Sequence, residues 1–96
     1  MNVLRLEGEL SIYRAAELKT VLLEALAQGA LEIDLSAVSD IDTAGVQLLM
    51  LAKKTAQQNQ HTLRLAGHSP AVLDAFELLN LAAWFGDQLV MQSEAP

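Results

Sequence analysis

Apolar and polar positions alternate with two different periods along this chain, and the changes of period mark its elements. Val3-Leu4-Arg5-Leu6 reads as a first strand, punctuated by Gly8, with Glu9-Leu10 as a short second strand before the chain turns. The period then lengthens. Leu18, Val21, Leu22, Ala25 and Leu26 fall at i, i+3, i+4, i+7 and i+8, which predicts a helix over residues 13–28 with one apolar stripe. Gly29 stands where a left-handed cap residue belongs. Leu31-Glu32-Ile33-Asp34-Leu35 returns to period two and predicts a strand. Residues 38–42 follow as a polar loop around two apolar anchors.

A second helix is expected over residues 44–60 and a further strand over Thr62-Leu63-Arg64-Leu65-Ala66. Ser69 and Pro70 then suit the N-cap and first position of a third helix carrying Val72, Leu73 and Phe76. Beyond Leu81 the pattern weakens. Leu89-Val90-Met91 suggests a last strand, Trp84-Phe85 a closure of the core, and residues 93–96 a fraying end. Strands alternating with helices imply an α/β layer structure with parallel strands joined by crossovers.

Composition narrows the function. At 96 residues and 52% hydrophobic, the chain is expected to form one domain over residues 1–96. The absence of cysteine removes disulfides, thiolate nucleophiles and Cys-based zinc sites. Its start lacks the basic-then-apolar layout of a signal peptide, and no apolar run approaches the roughly 18 residues of a membrane span. A cytoplasmic protein without membrane insertion is the expectation. A net charge of −6 with no Lys/Arg cluster argues against nucleic acid as a direct partner.

Enzyme chemistry finds little support. His61 and His68 are the only histidines, and a hydrolase needs one of them beside an oriented nucleophile. Ser39 and Ser69, the nearest candidates, lie in no nucleophile elbow. A loop histidine such as His68 is expected to be solvated. The five glycines are isolated, so no phosphate-cradling loop is present, and neither a metal nor a cofactor is expected.

The informative stretch is LEIDLSAVSDIDTAGVQLL, where a strand ends and Asp42-Thr43-Ala44-Gly45 opens a helix. Either Asp42 or Thr43 can simply cap that helix. Alternatively, Thr43 is a phosphorylation site: a phosphate there would meet unpaired N–H groups and the positive end of the helix dipole. It would also add about −1.5 to −2 charges beside Asp40 and Asp42, enough to repel a docked partner. Gly45 leaves room for an approaching kinase or serves close helix–sheet packing. On the helix, Gly45, Leu48, Leu49, Ala52 and Ala56 cluster as a core face, while Gln47, Lys54, Gln57 and Gln58 point away. Val46 falls at a boundary, and Met50 and Leu51 at the flanks or beyond. Neighbouring helices or self-association would cover these apolar residues; the other reading is a docking patch of Thr43, Val46, Gln47 and Met50.

This segment resembles the STAS family, named for sulphate transporters and anti-sigma factor antagonists. The resemblance rests on Ile33-Asp34-Leu35, then Asp42-Thr43-Ala44-Gly45-Val46-Gln47-Leu48-Leu49, and extends through Leu63-Arg64-Leu65-Ala66-Gly67 and Ser69-Pro70-Ala71-Val72 to Leu78-Leu79-Asn80-Leu81. It implies a STAS-like mixed sheet of four to five strands with helices packed mainly on one face. A usual C-terminal helix is also implied, for which little chain remains after Met91. By resemblance the chain is a non-catalytic bacterial protein-binding domain, with Thr43 the phosphoacceptor of a partner that is both anti-sigma factor and serine/threonine kinase. The resemblance carries over Thr43 with Asp42 as its acidic neighbour; together with the docking patch, the expected partner-binding residues are Asp42, Thr43, Ala44, Gly45, Val46, Gln47 and Met50. The family also implies an alternative: a constitutive adaptor on the ATPase of a lipid-transport ABC system, or an adaptor linked to chemotaxis or another signalling ATPase. Oligomers are compatible with either.

Overall fold

The computed structural model describes residues 2–79. They form β1 (Asn2–Leu10), a 3-10 turn (Ile12–Arg14), α1 (Ala15–Leu26), β2 (Leu31–Ile41), α2 (Thr43–Gln58), β3 (Leu63–Ala66) and α3 (Pro70–Leu79). The sheet has the order β1-β2-β3, and both pairings are parallel. Leu4 pairs with Ile33, and Ile33 with Leu65, so one row of apolar side chains crosses all three strands. The two crossovers step the same way across the sheet. With the usual right-handed sense this sets α1 and α2 side by side on one face, where they touch each other. The α/β architecture expected from the alternation is present, with three parallel strands among the described residues. The strand expected at residues 89–91, the Trp84-Phe85 closure and the tail fall outside those residues.

Burial follows the two periods. Leu31, Ile33 and Leu35 are buried on β2 while Glu32, Asp34 and Ser36 are not. On α1 the buried row is Leu18, Leu22 and Leu26, and on α2 it is Gly45, Val46, Leu48, Leu49, Ala52 and Ala56. Val21, expected in the α1 stripe, is exposed, because three leucines spaced four apart already cover the contact line. α3 lies against β2, driving Val72 and Phe76 into the core. Ser69 caps it as expected: its hydroxyl accepts from Val72 N–H (3.3 Å), and its carbonyl from Leu73 N–H (2.8 Å).

Four expectations need correction. Gly8 does not end the first strand. β1 continues through it to Leu10, and register shifts between Arg5 and Glu7 and between Gly8 and Glu9 absorb the irregularity. For the same reason β2 is not five residues followed by a loop but runs to Ile41. The shifts insert residues on β2: after the first, Val38 stands opposite Gly8 although it is out of phase with Leu35, and the second restores the phase, so that Ile41 stands opposite Leu10. At the first shift the Ser36 N–H is met by the Asp34 carboxylate at 2.9 Å. Second, residues 12–14 form a 3-10 turn and the α-helix begins only at Ala15. Third, α2 ends at Gln58, and Gln60 supplies the left-handed turn (φ 60°) for which the chain has no glycine. Gly29 occupies its expected positive φ (119°). Fourth, His68 is not solvated: it is buried and packs edge-on against Phe76, with ring centroids 5.5 Å apart. His61 is half-buried, its Nδ1 3.0 Å from the Leu26 carbonyl oxygen, and ties the end of α1 to the start of β3.

Burial separates two neighbouring leucines on α2, Leu49 at 0% and Leu51 at 37% exposed. Leu49→Ala is expected to cost about 3 kcal/mol in urea-induced unfolding. Leu51→Ala should cost less than about 1 kcal/mol, and equal losses would contradict this packing.

Candidate functional site

The site is built at the corner where β2 hands the chain to α2. Asp42 is the N-cap of α2, with extended backbone (φ −112°, ψ −174°). Its Oδ1 accepts from Gly45 N–H at 3.0 Å, and its carbonyl from Val46 N–H at 3.0 Å. Its Oδ2 accepts from Ile12 N–H at 3.2 Å, and its own N–H donates to the Leu10 carbonyl at 3.2 Å. One residue thus closes the helix terminus and joins it to the end of β1. Between the two capping candidates the geometry selects Asp42.

These N–H donors favour the ionised carboxylate. The Gly45 N–H foremost, then those of Ile12 and Ala44, hold the Asp42 carboxyl below its usual 3.8 against a smaller opposing effect of desolvation.

Thr43 is the first residue of α2 and is exposed. Its hydroxyl enters no hydrogen bond among the described residues, since Asp42 has taken the capping role. Gln47, one turn further on, is also exposed, as is Asp40 on the strand side. Ala44 and Met50 are half-buried, and Met50 packs against the core.

Two of the expected partner-binding residues face inward instead. Gly45 is buried, and an added Cβ would collide with the Leu10 carbonyl oxygen and lie 2.8 Å from Leu10 Cβ and 2.9 Å from Ile41 Cγ1. Its missing side chain serves helix–sheet packing, not kinase access. Val46 is 4% exposed and belongs to the core, because α2 packs on both the sheet and α1 and so buries a wider arc than one stripe. The outward part of the candidate site is therefore Asp42, Thr43 and Gln47, with Ala44 and Met50 at its margin.

The residue-level reading missed the neighbours across the corner. Ile12 and Tyr13 are 66% and 89% exposed, and the Ile12 backbone is bonded to Asp42. Two large apolar residues lying off the Leu18-Leu22-Leu26 stripe were the available signal. No group of three or more His, Asp or Glu among the described residues is placed to hold a metal ion, and none of their helices is long and apolar enough to cross a membrane.

A family model described as "Mlab, STAS domain" matches residues 1–91. The chain belongs to the STAS domain family. Solved structures agree on the fold. An anti-sigma factor antagonist assignment from Thermotoga maritima superposes with a TM-score of 0.77 at 21% identity, covering 95% of this chain and 80% of that one. SpoIIAA, an anti-sigma factor antagonist, matches in its unphosphorylated form with a TM-score of 0.72 at 22% identity, covering 94% of this chain and 79% of its own. The Bacillus cell-fate determinant SpoIIAA in its phosphorylated form gives 0.67 at 20% identity, covering 94% and 82%. No curated protein sequence matches the chain. At these identities the structural likeness establishes the STAS fold, and the residues of the corner carry any argument about function.

Two outcomes follow from the corner. Gly45→Ala is expected to destabilise this STAS domain by about 3 kcal/mol in urea unfolding, because the Leu10 backbone must move to admit one methyl group. The second concerns pH. The folded-state pKa of Asp42 is lowered, so its contribution is complete above the unfolded-state value and disappears as pH falls through the folded one. Asp42→Asn keeps an acceptor oxygen but no charge. The stability gap between wild type and this variant should be widest at neutral pH and close below pH about 4. A gap that does not change with pH would deny the charge any role.

Proposed function

We propose that this STAS domain is a non-catalytic regulatory docking module of the anti-sigma factor antagonist type, acting in the bacterial cytoplasm. Its binding face is centred on Thr43, and phosphorylation of Thr43 by a partner kinase switches it. One observation carries the reading: Thr43 stands exposed at the first position of α2 while Asp42 does the capping. The fold therefore does not need the Thr43 hydroxyl. A phosphate there would lie at the positive end of a 16-residue helix, so the modified domain would stay folded. It would also place about −1.5 to −2 charges beside the exposed acids Asp40 and Asp42, on the surface that a partner must approach. That SpoIIAA, which shares this fold, is known in phosphorylated and unphosphorylated forms supports the proposal.

The Mlab description of the family model favours a second reading of the same surface, a constitutive adaptor held on a transporter ATPase. The two differ in what Thr43 does. As a switch, it gains about 80 Da with ATP and the cognate kinase, a gain lost in Thr43→Ala. The phosphorylated domain should then bind its partner at least about tenfold more weakly while its unfolding stays cooperative. No modification by the cognate kinase, together with phosphatase-insensitive co-purification with an ATPase, would replace the switch by the adaptor.

A further inference from the structure

The 3-10 turn before α1 holds two large apolar side chains out of the molecule, and its backbone is not loose. The Ser11 hydroxyl accepts from Tyr13 N–H at 3.3 Å and donates to the Glu9 carboxylate at 3.0 Å. Arg14 N–H donates to the Ser11 carbonyl at 3.0 Å. The Arg14 guanidinium donates to the Glu7 and Glu9 carbonyls at 2.7 and 2.8 Å, fastening the turn to the irregular end of β1. On its other side the turn is fastened to the Thr43 corner by the 3.2 Å bond from Ile12 N–H to Asp42. Ile12 and Tyr13 take no part in the core cluster, so the fold gains almost nothing from burying them.

We infer that Ile12 and Tyr13 are the apolar anchor of the docking face that carries Thr43 and Gln47, and that they enter an apolar cleft rimmed by Lys or Arg on a partner protein. The inference rests on the docking reading above and adds the partner's chemistry. Continuity supports it: a single side chain, Asp42, bonds both the turn and the first turn of α2. Charge selects the occupant. Glu7, Glu9, Asp40 and Asp42 are exposed around the turn; of the cations nearby, Arg5 lies 3.7 Å from Glu7, and Arg14 is engaged with two carbonyls and lies 3.8 Å from Glu17, so Glu9, Asp40 and Asp42 carry the rim's net negative charge. A second copy of this acidic chain, or an anionic lipid surface, would be repelled by that rim; a basic one would be attracted. A rigid tyrosine projecting from a fixed turn can bury a large area with little loss of conformational freedom, as tyrosine anchors at the centres of interfaces do.

The test places the photo-crosslinker p-benzoylphenylalanine at Tyr13 or at Gln47 of the full chain, expressed in the cells from which the chain comes. Adducts are identified by mass spectrometry, and the captured protein is then purified and titrated. Expected are the same partner at both positions, binding that weakens with added salt, and a loss of about tenfold or more in affinity for Tyr13→Ser with no change in melting temperature. Capture from Gln47 alone, with Tyr13→Ser binding as wild type does, overturns the anchor and leaves the Thr43 docking face standing. Adducts at neither position overturn both. An adduct between two copies of the chain assigns the turn to self-association and overturns the inference.

Discussion

The structure depends on one close approach, the first turn of α2 against the end of β1. With no Cβ at position 45, the helix comes so near Leu10 that a methyl group would strike its carbonyl oxygen. That depth fixes how α2 is rotated and seated. It brings Val46 and Leu49 into the core, and it leaves Thr43 and Gln47 on the outer side. It also brings the Asp42 N–H to the Leu10 carbonyl and the Asp42 carboxylate to Ile12 N–H, so two stretches 30 residues apart in sequence, the end of β1 with its following turn and the start of α2, become one corner. A larger residue at 45 would therefore disturb the display of Thr43 as well as the packing beneath it.

Within the corner, Asp42 and Thr43 divide two tasks that either residue could perform. The carboxylate accepts from two backbone N–H groups, 33 residues apart in the chain, as an ionised acceptor can. The hydroxyl is left outside this network. Had Thr43 been the cap, a phosphate on it would have removed the helix's own closure, and modification would have competed with folding. With the cap on its neighbour, a change at Thr43 alters surface charge without removing a bond of the fold. Asp42 contributes to fold and surface alike, so its substitutions report on both.

Much of this was legible in the sequence, for reasons that also explain what was not. The strands 31–35 and 63–66 alternate cleanly because each keeps one register with its neighbour, and the inner face of α2 could be read from angle alone. Legibility failed where tertiary contact overrides local pattern. Val38 and Ile41 look like loop residues until the register shifts opposite Glu7 and Glu9 bring them into line with Gly8 and Leu10. Gln60 gives no hint of its left-handed backbone, because that conformation is ordinarily taken by Gly, Asn or Asp. His68 is polar and lies between Gly67 and Ser69, yet the return of the chain over β2 buries it against Phe76. At the site, Thr43 and Gln47 could be placed by periodicity. Val46 could not, since a second helix widens the buried arc, and the nearness of Ile12 and Tyr13 to Thr43 appears only once β1 and α2 are known to meet.

That meeting bears on how the domain can bind at all. Association loses affinity to whatever must be ordered on contact, so a face assembled from loose loops would begin at a disadvantage. Here the groups that face outward stand on elements already fixed by the fold: Thr43 and Gln47 on a helix seated by Gly45, Ile12 and Tyr13 on a turn bonded at Ser11, Arg14 and Asp42. Because the corner is held by these bonds, a partner docking as proposed would meet a preset arrangement of two apolar side chains, a hydroxyl and an acidic rim. A rigid face cannot rearrange to accommodate a new charge either, so a phosphate added at its centre would be felt in full by whatever is docked there. The same packing that makes the surface ready to bind would thus make it sensitive to a single modification.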